Sequence, residues 1–184
     1  MPLDSVLPRS LNEWVVLALI DESPRHGFSI AREVKQGGPI GQVWTVPRPL
    51  VYRAMDHLAT LSLITPHSTE LGEKGAVRTL YRTTDQGHDL VVGWLEAPIV
   101  HPRDVRTDLI VKFVLLARRD LSNVALATAQ LAEFKAAAAG LEEKAAIAGG
   151  DERVVALWRV ESMRAITRYL EQVISDQSGK VTSR

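Results

Sequence analysis

Apolar residues recur along this chain with the periods of a helix-rich protein. After Ser10, the positions Leu11, Trp14, Val15, Ala18 and Leu19 mark one face of a helix running to about Asp21. Ser10 with Glu13 three residues on has the spacing of a capping box at its start. Glu22 to Gly27 reads as a turn. Phe28, Ile30, Ala31 and Val34 are the apolar positions of a second, short helix that ends before Gly37-Gly38-Pro39. Residues 40–47 connect it to the next element, with Val43 and Trp44 expected inside. A third helix, about 48–62, repeats apolar residues at Val51, Ala54, Met55 and Leu58, and Pro47 and Pro49 suit its first turn. Two strands follow over about 64–83, around the polar turn Gly72-Glu73-Lys74-Gly75. Thr84 is placed to cap a fourth helix through about Ala97, and Pro98 ends it.

The second half is helical throughout. Val105, Leu109, Ile110, Phe113, Val114, Leu116 and Ala117 fill more than one helical face, which calls for burial. Leu121 to Ala148 is alanine-rich and favours helix by propensity. Gly149-Gly150 breaks it, and Asp151 is placed to cap the last helix. In that helix Val155, Trp158, Ser162, Ile166, Tyr169 and Val173 step by three or four, a seam suited to another long helix. Residues 1–9 read as a loose arm and 176–184 as a polar, frayed end.

Helix, helix, helix, then two strands around a polar tip is the order of a winged helix-turn-helix, in which the third helix enters the DNA major groove and the hairpin lies beside it. A short helix before a hairpin also occurs in many α+β domains, so this order alone leaves DNA binding as one reading. Composition adds limits. Hydrophobic residues are 46% and charged residues 24%, an ordinary globular balance, and 184 residues suffice for one domain or two small ones. Without cysteine there is no disulfide framework and no thiolate chemistry. No secretory signal and no long uncharged apolar run is evident, so a cytoplasmic location is expected. The net charge is zero, and residues 1–98 hold nine Lys/Arg against eleven Asp/Glu. Any DNA affinity must therefore come from a local patch, and only 48–82 leans basic.

Several stretches in order resemble the PadR family of bacterial transcriptional regulators. They are Leu17 to Val34 with its Ser23-Pro24 and His26-Gly27-Phe28, then Leu50 to Leu58 with Val51-Tyr52-Arg53-Ala54-Met55, then Leu63-Ile64, then Arg78 to Gly87 with Thr84-x-x-Gly87. The resemblance covers about residues 10–97. It implies a winged-helix repressor acting as a homodimer, a helical C-terminal part that pairs the subunits, and control by a small molecule in many members. The chain departs from the family pattern in three places: Pro49-Leu50-Val51 stands for Gly-Thr-Leu, Arg53 for proline and Ser62 for glycine. Because residues at the recognition helix N-terminus reach base edges, the operator sequence does not carry over.

The expected architecture is α+β and mostly α: a winged helix-turn-helix domain over 1–98 and a helical, coiled-coil-like dimerisation domain over 99–184. Arg48, Tyr52 and Arg53 are candidates for base or phosphate contact, against the alternative of a solvated helix face. His57, one turn on, is a further DNA-contact candidate, with a solvent-facing side chain as the favoured alternative. Lys74 and Arg78 belong to the wing, where phosphate contact competes with a merely solvated turn. Trp94, Phe113 and Trp158 could wall a pocket for a small aromatic effector, where the fourth helix meets the C-terminal helices; dimer core is the favoured alternative. The five histidines lack metal-ligand spacing, and nucleophile, P-loop and dinucleotide motifs are missing, so neither metal, cofactor nor enzyme activity is expected. The competing function is a winged-helix protein-interaction or ligand-binding module without specific DNA binding.

Overall fold

The computed structural model describes residues 10–72, 75 and 77–181; the N-terminal arm at 1–9, Glu73 and Lys74 lie outside the described residues. Helices α1 (Leu11–Glu22), α2 (Gly27–Val34) and α3 (Arg48–Thr60) precede strands β1 (Ile64–Leu71) and β2 (Val77–Thr83). Helix α4 (Asp85–Glu96) follows. A 3-10 turn at Pro102–Asp104 and a π turn at Val105–Leu109 then lead into α5 (Ile110–Arg118), α6 (Val124–Ile147) and α7 (Gly150–Val181). The winged-helix order of elements is thus the one the residue pattern predicts. Among the described residues no helix is long and apolar enough to cross a membrane.

By packing the chain forms two compact units. The first runs up to Leu95 and takes in Ile110–Leu115; the second comprises Glu96–Leu109 and the chain from Leu116 on. In the first, α1 is buried around its circumference, with Val15 to Ile20 at 0–1% exposure, so it is the axis on which the other elements pack. Ser10 caps it by accepting from the Glu13 N–H. Helix α3 lays Val51, Ala54, Met55 and Leu58 on this core, as its spacing predicts. Asp21, almost buried, accepts from Thr83 Oγ1 at 3.0 Å and pairs with His88 at 2.9 Å, tying α1 to the end of β2 and to α4. Thr84 caps α4 as expected, its Oγ1 accepting from the Gly87 N–H at 3.1 Å. Gly87 is required there, because a Cβ would stand 2.2 Å from the Leu63 carbonyl oxygen.

Some details depart from the sequence expectations. Phe28 is 38% exposed rather than interior, and Val43 and Trp44 are only half-buried, while Ile40 and Val46 fill the core beneath them. Arg25, read as part of a turn, exchanges both backbone hydrogen bonds with Tyr81 and adds a one-residue third strand to the hairpin. Ser62 holds a left-handed backbone (φ 58°), the conformation that favours glycine. Asp151 lies inside the first turn of α7 rather than capping it, and α7 extends to Val181, beyond the point where fraying was expected.

In the second unit α6 and α7 pack along their length. The buried stripe of α7 is Val160, Met163 and Leu170; of the expected seam, Val155 is 50% and Trp158 73% exposed within one chain. A buried amide fixes the start of this unit. Gln130 on α6 is wholly enclosed, accepting from the Ile99 N–H at 2.7 Å and donating to the Ile99 carbonyl at 3.0 Å. Replacing it strands two buried backbone groups. We expect Gln130→Leu to lower unfolding stability by about 2–3 kcal/mol, measured by urea denaturation.

Candidate nucleic-acid interface

The surface begins at the N-terminus of α2. His26 caps this helix: its Nδ1 accepts from the Ser29 N–H at 3.0 Å. An Nδ1 that accepts leaves the proton on Nε2, and Nε2 lies 2.8 Å from Glu70 Oε1 of β1. One imidazole thus joins the first turn of α2 to the hairpin. The next residue, Gly27, is pressed against α3, where a Cβ would come within 2.7 Å of Tyr52 Cε1 and 3.1 Å of Met55 Sδ. The Tyr52 ring occupies the space a side chain would need.

Phe28 follows, and its exposed ring receives cations from two directions. The Arg48 guanidinium, from the first turn of α3, is 5.7 Å from the ring centroid; that of Arg78, from β2, is 5.0 Å away. Arg48 also lies 5.6 Å from the Tyr52 ring. Arg78 folds back over Gly72 at the hairpin tip. Between α3 and β2 these residues enclose an open cleft of about 480 Å³, with Met55, Asp56 and Tyr81 also in its lining. Among the described residues, Arg48, Arg53 and Arg78 have no carboxylate within ion-pair distance, so their charge is available to an external anion.

The sequence-derived candidates therefore separate. Arg48, Tyr52 and Arg78 converge on the cleft, and Arg53 stands exposed on the same helix. His57 turns away from solvent: its Nδ1 is 3.0 Å from Glu13 Oε1 on α1, and only 28% of the side chain is exposed. It braces α3 against α1. Lys74 lies outside the described residues. The aromatic candidates fall in different units. Trp94 stacks on Trp14, with ring centroids 5.1 Å apart, and carries Lys112 Nζ 5.2 Å from its ring; Phe113 is buried in the same unit. Trp158 belongs to the second unit, at a cavity of about 810 Å³ that also takes in His101, Arg103, Arg106, Arg159 and Ile166.

Residues His26, Phe28 and Glu70 were not foreseen as parts of this surface. Only His26-Gly27 carried a signal, as a short motif without an evident mechanism; the spacing of Phe28 mimics a core position.

A third helix backed by α1 and α2, with a twisted hairpin at its side, defines a winged helix-turn-helix protein. Residues 16–91 match the family model described as the transcriptional regulator PadR-like family, so this segment is a PadR-like domain. That family consists of transcriptional regulators and not of enzymes. Among solved structures, the chain is similar to Bacillus subtilis PadR in complex with operator DNA, with 19% identity, a TM-score of 0.47 and coverage of 91% of this chain and 99% of that one. It is also similar to the Bacillus subtilis PadR structure without that description (19% identity, TM-score 0.42, 92% and 97% covered). A third is the PadR-like regulator BC1756 from Bacillus cereus (17% identity, TM-score 0.38, 92% and 99% covered). No curated protein matches the sequence.

Gly27→Ala tests the close approach of α2 to α3. The added methyl must displace the Tyr52 ring, and we expect a loss of about 1–3 kcal/mol in urea-denaturation stability.

Proposed function

We propose that the protein is a transcriptional repressor that binds operator DNA as a homodimer. The recognition helix spans about 48–62 and the wing about 64–83. The observation that carries this reading is the convergence of Arg48, Tyr52 and Arg78 at one cleft between α3 and β2, inside the segment that matches the PadR-like model. Arginine offers a forked donor to phosphate oxygens or to guanine O6 and N7, and exposed Arg53 adds a further donor on the helix. The protein would act in the cytoplasm, where its DNA lies.

The homodimer is supported by the apolar surface of α7. Val155, Trp158 and Tyr169 share a stripe at coiled-coil spacing, and their 40–73% exposure in one chain is costly without a partner helix. A twofold pairing would set two recognition helices into successive major grooves, roughly 34 Å apart. Control by a small aromatic effector belongs to the same proposal; its three candidates, Trp94, Phe113 and Trp158, do not share one unit. Of these, Trp158 offers exposed ring surface, beside Arg103, Arg106 and Arg159, which suit an anionic substituent.

A second reading, an interaction or ligand-binding module without specific DNA binding, is favoured by two observations. Residues 1–98 carry two more acidic than basic side chains, and Pro49-Leu50-Val51 alters the entry to the helix. Salt dependence separates the two, because operator binding weakens steeply as salt rises.

Gel-shift titrations of the DNA upstream of the protein's own gene, at two salt concentrations, test the main proposal. We expect a competitor-resistant shift that weakens with salt, and Tyr52→Ala or Arg53→Ala to reduce affinity about tenfold at unchanged melting temperature. No competitor-resistant shift at either salt would favour the second reading. For the dimer, Trp158→Glu is expected to move the sedimentation coefficient from dimer to monomer while the helical circular dichroism persists.

A further inference from the structure

We infer that Phe28 is a positioning residue for DNA binding, holding Arg48 and Arg78 around one aromatic ring so that the two guanidinium groups grip a single backbone phosphate. The inference rests on the DNA-binding reading above and assigns a place within it to a residue that touches no base.

The argument starts from the fixed position of Phe28. The preceding residues clamp the α2 N-terminus on two sides: His26 Nε2 donates to Glu70 of β1, and Gly27 abuts Tyr52 of α3. Phe28 is therefore held between wing and recognition helix, yet 38% of its surface is open. The ring lies 6.2 Å from the His26 imidazole, and two cations stand 5.7 and 5.0 Å from its centroid. Arginine side chains are long and rotamer-rich, and two like charges repel. A ring whose faces are electron-rich attracts both, lowers the entropy each must lose on binding and keeps them at the mouth of one cleft. Among the described residues neither is neutralised by a carboxylate ion pair. Asp56 also lines the cleft, but the two cations outnumber it. A tetrahedral phosphate offers several oxygens to two forks, whereas a base edge accepts one.

The test is fluorescence anisotropy of the full chain with a short labelled duplex of arbitrary sequence, across a series of sodium chloride concentrations. Phosphate contacts dominate such binding, so no operator is needed. Phe28→Leu should weaken binding about five- to tenfold and lower the slope of log affinity on log salt by about one, at unchanged melting temperature. Phe28→Tyr, which keeps the ring, should restore both. A Phe28→Leu protein with the parent's slope and affinity would overturn the inference. If Phe28→Leu fails to fold, Arg48→Ala and Arg78→Ala decide the matter. A shared phosphate predicts that losing both lowers the slope by about one in total; a drop of about two means separate phosphates and defeats the proposal. A parent protein that does not bind the duplex even at low salt would overturn the DNA-binding reading itself, a result distinct from parent-like binding by Phe28→Leu.

Discussion

The first unit depends on a single imidazole with both nitrogens committed. His26 Nδ1 accepts the Ser29 amide and so begins α2; His26 Nε2 donates to Glu70 and so ties α2 to the hairpin. An isolated two-stranded hairpin is marginal in water, because its backbone bonds do little more than replace those made to solvent. Here β1 gains a side-chain anchor through Glu70, and β2 gains a backbone bridge at Arg25. Both come from the short segment between α1 and α2. That segment helps to fix the hairpin beside α3, together with the Asp21–Thr83 bond at the end of β2.

Around that anchor the electrostatics are local. The chain carries no net charge and its N-terminal half is slightly acidic, yet five of those acids have partners within the unit. Glu22 and Glu33 hold Arg25, Glu13 holds His57, Asp21 holds His88, and Glu70 holds His26. Arg48, Arg53 and Arg78 stand outside this pairing. A count of charges along the sequence treats all of them alike; the fold gives these five acids internal partners and leaves the three arginines without a carboxylate among the described residues. Surface ion pairs of this kind add little stability each, but they decide where uncompensated charge remains.

In the second unit, α7 has two apolar stripes and α6 can cover only one. Val160, Met163 and Leu170 take that place. The stripe through Val155, Trp158 and Tyr169 also has heptad spacing and is left on the surface of the chain. A pattern of apolar residues says that a face must be covered; it does not say by which helix, nor by which copy of the chain. Near its start, α6 is tied by the buried Gln130 to the backbone of Ile99.

Sequence by itself determined the order and type of the elements in the first unit, the buried face of α3, the extent of the hairpin and the Thr84 cap. Each follows from local physics: the 3.6-residue period, a polar tip flanked by β-prone residues, a hydroxyl three residues before an open amide. It also singled out Arg48, Tyr52 and Arg78. Tertiary structure alone decided that His57 faces Glu13, that Phe28 stands open beneath two arginines, that Arg25 acts as a strand and that Ile110–Leu115 packs with the first unit. The reason is common to all four. Helical spacing gives a direction around one axis, whereas these side chains are placed by neighbours distant in sequence, from Glu13 against His57 to Arg78 against Phe28. Such neighbours come together only once the core around α1 has formed.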